Sequence, residues 1–327
     1  MLAYIIRRIA YAFPILLGVN VILFSLFFFV NSPDVIARQN LGEKRVTQAQ
    51  IDNWKEEHGY HLPRFYNAKE KRLSKLTQTI FWTKSMRLFL FDFGKADSDN
   101  SLIGDAVLRR IPYSLFITIP IFLIGMAIGL VFAMLAAFYR ATYIDTSLLV
   151  VCVLLMSIPL MIYILAGQYV LAIVLKLTPI SGFARPLWVA LKFLVLPVII
   201  GVIADFGSGV RYDRTIFLEE INKDYVRTAR AKGLSEVAVL FKHALKNAMI
   251  PILTSVVVAI PFLMTGSLLL EKFFGIPGMG NYLIDAIHRQ DFAVVRSMVF
   301  LGSVLYVGAL IVVDISYTLV DPRVRLK

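Results

Sequence analysis

The chain has 327 residues, 58% of them hydrophobic, and a formal net charge of +12. A soluble domain is about 45–50% apolar and has no apolar runs near twenty residues; several runs here reach that length, so the bilayer is the solvent for most of the chain. The basic excess is therefore a topology and anionic-lipid signal, and a nucleic-acid partner is excluded because little water-facing fold remains to carry such a charge.

The N-terminus places Arg7 and Arg8 before an apolar run of about twenty residues, longer than a signal-peptide core and without a prompt small-x-small cleavage site. It reads as a retained signal anchor, with residues 1–30 forming an N-terminal interfacial segment and first transmembrane helix. Residues 31–113 follow as a segment of mixed polarity. It holds Trp54, Tyr60, Tyr66 and Trp82, and a helix-like stretch around Thr47–His58 with Asp52, Glu56 and Glu57. A small ordered external subdomain is expected, serving either as a docking surface or as a loop packed on the outer rim.

Five more spans are expected over residues 114–320: Ser114–Phe138, Ser147–Leu171, Val189–Phe206, Ile250–Leu270 and Ser297–Val320. Each can cross a core of about 30 Å as a helix. Prolines such as Pro120, Pro159, Pro197, Pro251 and Pro261 fall in or at them, which membrane helices tolerate. The second span carries Gly125, Gly129, Ala133 and Ala137 at four-residue spacing, a pattern for close helix packing within one subunit or between subunits. Cys152 is the single cysteine and lies inside an apolar run, and four histidines without cysteine partners give no metal signature.

Orientation follows from the cations. With the N-terminus inside, the inner segments hold Arg7, Arg8, Arg140, eight basic residues from Arg211 to Lys246, and the tail 321–327 with Arg323, Arg325 and Lys327. The short outer loops hold few, and the long basic segment of roughly eighty residues can translocate regardless of its charge. Both termini are thus expected in the cytoplasm. Asp205 is expected to pair with Arg211 or Arg214, or to be a hydrogen-bonded acid at a helix interface. The same reading applies to Asp314, for which a substrate-amine contact is the alternative. Arg296 reads as an interfacial anchor at the outer start of the last span. No Ser-His-Asp or paired-carboxylate arrangement suggests an enzyme.

The inner loop 207–249 carries the most information. Tyr225–Lys232 consists of good helix formers, Gly233 can end that helix in a left-handed conformation, and Ser235 is an N-cap candidate for a second helix. Val237, Leu240, Phe241, Ala244 and Leu245 give that helix an apolar face. A helix, a glycine turn and a helix pushed into the cytosol form a lever for a soluble partner; the same composition also suits an amphipathic element lying on anionic headgroups.

The order Tyr225, Val226, Arg227, Thr228, Ala229, Arg230, Ala231, Lys232, Gly233, Leu234, followed by a basic helix and Asn247-Ala-Met-Ile-Pro251, resembles the coupling loop of binding-protein-dependent ABC importer permeases, the oligopeptide/dipeptide branch in particular. Arg227, Thr228 and Ala229 stand at the family's Glu-Ala-Ala places and His243, Leu245 and Lys246 at its Ile, Leu and Pro places, so its glutamate and proline are missing. Further likenesses are Tyr4-Ile-Ile-Arg-Arg8 with Pro14, an external turn with Glu271, Pro277, Gly278 and Gly280, and the ending Asp321-Pro-Arg-Val-Arg325.

The resemblance implies an all-α polytopic fold, a type I ABC importer permease with six transmembrane helices, in the bacterial cytoplasmic (inner) membrane. It implies a second homologous permease subunit, two cytosolic ATPase subunits, one of which takes the loop around Arg227–Gly233 in a cleft, and an external solute-binding protein delivering peptides or peptide-like solutes. ATP and Mg would sit on those partners, since this chain has no Gly-x-x-x-x-Gly-Lys-Ser/Thr sequence and no cofactor of its own. Nickel, glutathione and antibiotic-peptide importers share the architecture. A self-sufficient secondary transporter or channel with a lipid-binding loop is the alternative from another class.

Overall fold

The computed structural model describes residues 2–42, 46–184 and 187–320. Among them the chain is helical throughout, with an isolated bridge between Lys95 and Leu102 in place of strands. Five helical stretches are long and apolar enough to cross a membrane: Ile6–Val30, Ile103–Phe138, Val189–Ile221, Glu236–Phe274 and Phe292–Ile315. A sixth crossing is available if the pair Tyr143–Met156 and Leu160–Val174 counts as one span, bent by 89° at the break. The chain is a multi-pass membrane protein, and the apolar runs explain why: in hydrocarbon each backbone N–H and C=O must be satisfied within the segment, which a helix does.

The break falls inside the third expected span. Pro159 has no N–H to continue the ladder. The Leu155 C=O, which loses its ladder donor at Pro159, accepts from the Tyr163 hydroxyl at 2.8 Å, and the Ser157 hydroxyl adds a second donor at 2.8 Å to the Val153 C=O beside its own N–H. Other boundaries also differ from expectation, and the fifth stretch runs over Glu236–Phe274. The second span begins at Ile103, and the last helix at Phe292. The fourth continues to Ile221, so the expected loop from residue 207 is helical over its first third. Charged residues do not end a helix when they find partners. Arg214 forms a bidentate pair with Asp145, at 2.8 and 2.7 Å, and Asp145 also accepts from the Ala141 N–H at 3.1 Å.

That pair corrects the expected partner of Arg214. Asp205 instead accepts from its neighbour Ser208 at 3.0 Å, and an Arg211 N–H lies 3.6 Å from the Met156 sulfur. Asp314 is paired with Arg8 at 3.1 Å, joining the first and last helices. The four-residue small pattern divides: Ala133 and Ala137 are buried against Phe217, Leu240, Ala244 and Ala248, whereas Gly125 has open space beside it. The closest helix approaches use other glycines. A Cβ on Gly207 would overlap the Cys152 carbonyl, and one on Gly201 the Ile121 side chain.

The chain forms two compact units. One combines the first 111 residues with the chain from Tyr282 onward; the other is Pro112–Asn281. In the first unit the segment after residue 30 shares its core with the first helix. Its core of Ile36, Ala37, Ile51, Trp54, Tyr60 and Ile80 is completed by Phe24 and Phe28 of the first helix. Each such fully buried side chain contributes about 1.5–3 kcal/mol. The helix expected around Thr47–His58 is Gln48–Glu57, and the Gln50 side chain accepts from the Thr47 N–H at 2.9 Å. Arg296 is not at an interface: it is 3% exposed. The second unit packs Ile117, Ile164, Leu194, Leu196, Ile200 and Phe274 into one core.

Candidate functional site

The helix Asp224–Ala231 follows directly on the long helix ending at Ile221. Its acidic residue lies in the first turn and Arg230 in the last, both favourable to the helix dipole. Val226 and Ala229, three residues apart, are buried against Val239. This contact fixes the helix to the following element and leaves the opposite face open. Arg227, Thr228, Arg230, Ala231 and Lys232 are exposed on it. Arg227 has a side chain 73% exposed, in a loose pairing with Asp224 at 3.5 Å.

Gly233 has φ +81°, the left-handed region expected of it. Its N–H donates to Arg230 C=O at 2.9 Å, and the Leu234 N–H donates to Ala229 C=O at 3.4 Å. These two bonds form a Schellman cap, which satisfies carbonyls that a helix end otherwise leaves open. Ser235 then caps the next helical stretch by accepting from the Ala238 N–H at 3.3 Å. Across the turn Arg230 meets Glu236 in a bidentate pair at 2.8 and 2.9 Å. Both side chains are solvated, so the pair is worth at most about 1 kcal/mol and mainly fixes geometry. Glu220 fastens the other end, accepting from the Tyr225 hydroxyl at 2.5 Å and from Lys223. Burial, reinforced by the Glu220 carboxylate, pushes the Tyr225 hydroxyl up to about 12, so it stays a donor at physiological pH.

The result is a stiff knuckle with a cationic rim and an apolar flank. Leu234, Val237 and Phe241 are 39%, 57% and 58% exposed beside those cations. Such amphipathic exposure suits a partner surface. The sequence pattern located the turn and its caps. It did not reveal the clamp by Glu220 or the Arg230–Glu236 pair, whose only sequence signal was opposite charge on either side of a glycine.

The turn expected on the external side is built around a buried carboxylate. Glu271 is fully buried in the helix Leu268–Phe274. Its Oε2 accepts from the Asn281 N–H at 3.0 Å, and the Ser114 hydroxyl lies against the same carboxylate. Ser114 Oγ in turn accepts from the Met279 N–H at 2.7 Å. Gly278 lets the chain pass this carboxylate, since a Cβ there would overlap it. Gly280 likewise packs on the backbone of Ser267 and Leu268. Pro277 is half-buried between them. The ending Asp321–Arg325 lies outside the described residues.

Residues 129–326 match the family described as binding-protein-dependent transport system inner membrane component. The chain is similar to the dipeptide transport system permease protein DppB of Bacillus subtilis, 34% identical over 76% of this chain and 79% of that protein. It is 31% identical to a putative peptide transport system permease protein of Brucella abortus over 99% of each chain. It is also 29% identical to the oligopeptide transport system permease protein AppB of B. subtilis, over 99% of this chain and all of that one.

Proposed function

Since this chain belongs to the family of binding-protein-dependent transport system inner membrane components, we propose that it is a permease subunit of an ATP-driven importer for peptides, moved by partner ATPases through the Asp224–Leu234 knuckle. Its similarity to dipeptide and oligopeptide permeases supports the substrate class. The observation that carries the coupling role is the capped turn at Gly233, whose cationic and apolar faces are exposed while Val226 and Ala229 anchor it inward.

A lever of this kind must be rigid and joined to a span. The knuckle meets both needs, because it continues the helix Leu187–Ile221 and packs on Val239 at the head of the next transmembrane stretch. Closure of two ATPase subunits around bound ATP and Mg would press on this rim. The contacts made in the closed and open states must differ in free energy, or no conformational equilibrium shifts. A second permease subunit would complete the pathway, with both termini in the cytoplasm and an external solute-binding protein supplying cargo.

Cross-linking tests the reading. The single native cysteine, Cys152, is buried, so a cysteine placed at Leu234 reports on that position alone. In the assembled importer Leu234→Cys should cross-link to an ATPase subunit, with a yield that changes on adding ATP. Labelling of this cysteine only from the external side of sealed vesicles would overturn both the topology and the coupling role.

A further inference from the structure

In the first unit a cavity of about 300 Å³ is lined by four cations, Lys84, Arg87, Lys95 and Arg296. Three carboxylates, Glu56, Glu57 and Asp92, share its wall. Its volume is at the small end for ligand cavities, roughly 300–1,000 Å³. Two lining residues present buried polar atoms without a hydrogen-bond partner: Nε of Arg296 and Nε2 of His58. A buried guanidinium loses several kcal/mol of hydration unless acceptors replace the water.

The acids behind the wall replace it only in part: Asp97 attracts Arg296 through space without hydrogen-bonding its Nε. Asp97 Oδ2 accepts from the Tyr60 hydroxyl at 2.8 Å and the Ala293 N–H at 3.1 Å. Asp291 accepts backbone N–H groups of Asp97, Ser98 and Val294 at 3.1, 2.9 and 3.1 Å. Neutral donors thus satisfy Asp291 and one oxygen of Asp97, whose Oδ1 has no hydrogen-bond partner; Asp97 attracts Arg296 and Lys84 through space, but among the described residues no salt bridge within 4 Å joins either acid to Arg296. Lys84 lies beside the same acids, its ammonium 5.0 Å from the centre of the Tyr60 ring. Burial lowers the pKa of that ammonium, and Asp97 and Asp291 offset this only in part.

A carboxylate is the acceptor that fits. It is planar and takes two parallel N–H bonds from a guanidinium fork. The three lining carboxylates disfavour a doubly charged phosphate and provide a place for an ammonium. We propose that this cavity binds a small zwitterion of dipeptide size, its carboxylate held by Arg296 and Lys84 and its ammonium by the acidic wall. The site is separate from the knuckle and does not depend on a coupling role for it.

Trp54 reports on the site directly, because its ring stacks on the lining residue His58 with centroids 4.1 Å apart. The chain has three tryptophans, so Trp82→Phe with Trp188→Phe leaves Trp54 as the sole emitter. The full chain in lipid nanodiscs would be titrated with dialanine. A saturable change in Trp54 emission is expected, weakened at least tenfold by Arg296→Gln and by Lys84→Gln. Dialanine amide, which lacks the carboxylate, should give a much weaker response. Absence of a saturable response to dialanine would overturn the proposal, as would inorganic phosphate binding as tightly as dialanine. If Arg296→Gln does not fold, Lys84→Gln decides the matter: unchanged affinity in that variant overturns the assignment.

Discussion

Replacing Gly233 separates the backbone demand of the knuckle from its contacts. A Cβ added there meets nothing within 4 Å, so any cost comes from φ +81° alone. Holding an L-residue in the left-handed region costs roughly 1–2 kcal/mol. Asparagine pays less because its side chain tolerates that region, and a β-branched residue pays more. A loss of 1–2 kcal/mol shifts the equilibrium between capped and uncapped turn by about 5- to 30-fold. In proteoliposomes containing the complete importer, peptide taken up per ATP hydrolysed should therefore fall in the order Gly, Asn, Ala, Val at position 233. Membrane insertion should be unchanged throughout, because the site is exposed and lies outside the spans. Full coupling in the Gly233→Val importer would refute the reasoning. So would an Asn variant as defective as the Val variant, since the difference between them rests on backbone conformation alone.

The Asp145–Arg214 pair joins helices 69 residues apart and is largely buried, with side-chain exposures of 5% and 18%. Asp145→Ala and Arg214→Ala should each destabilise the detergent-solubilised protein by about 3 kcal/mol. The double variant should lose clearly less than the sum of the two, and strict additivity in thermal unfolding would show that the pair is not coupled. Ser114→Ala should strand the buried Met279 N–H and remove a donor from Glu271, at a cost of about 1–3 kcal/mol. An unchanged unfolding temperature for Ser114→Ala would mean that the external turn is held by other contacts.

Local features were legible where one residue's own chemistry decides the backbone. Gly233 announced a left-handed helix stop and Ser235 a new start, and both stand where the pattern put them. The helix-like stretch around Thr47–His58 forms as Gln48–Glu57, although its capping box of Thr47 and Gln50 went unread. Pro159 was equally visible, but a kinked helix and a span broken by 89° share the same residue. The difference lies in which side chains reach the freed carbonyls. The charges between Arg211 and Arg214 suggested a loop, yet the helix continues because one of them finds an acid on another helix.

The sequence by itself determined the solvent, the helical class and the apolar runs. Those follow from hydrophobicity and backbone hydrogen bonding summed over neighbouring residues. Only the tertiary structure decided the partners of the ionised groups. Asp97 meets Asp291 and Ala293 across nearly two hundred residues, and Arg296 is sealed beside them. A buried charge is stabilised or left wanting by whatever the fold brings within about 3 Å of it, a distance on which spacing along the chain has no bearing.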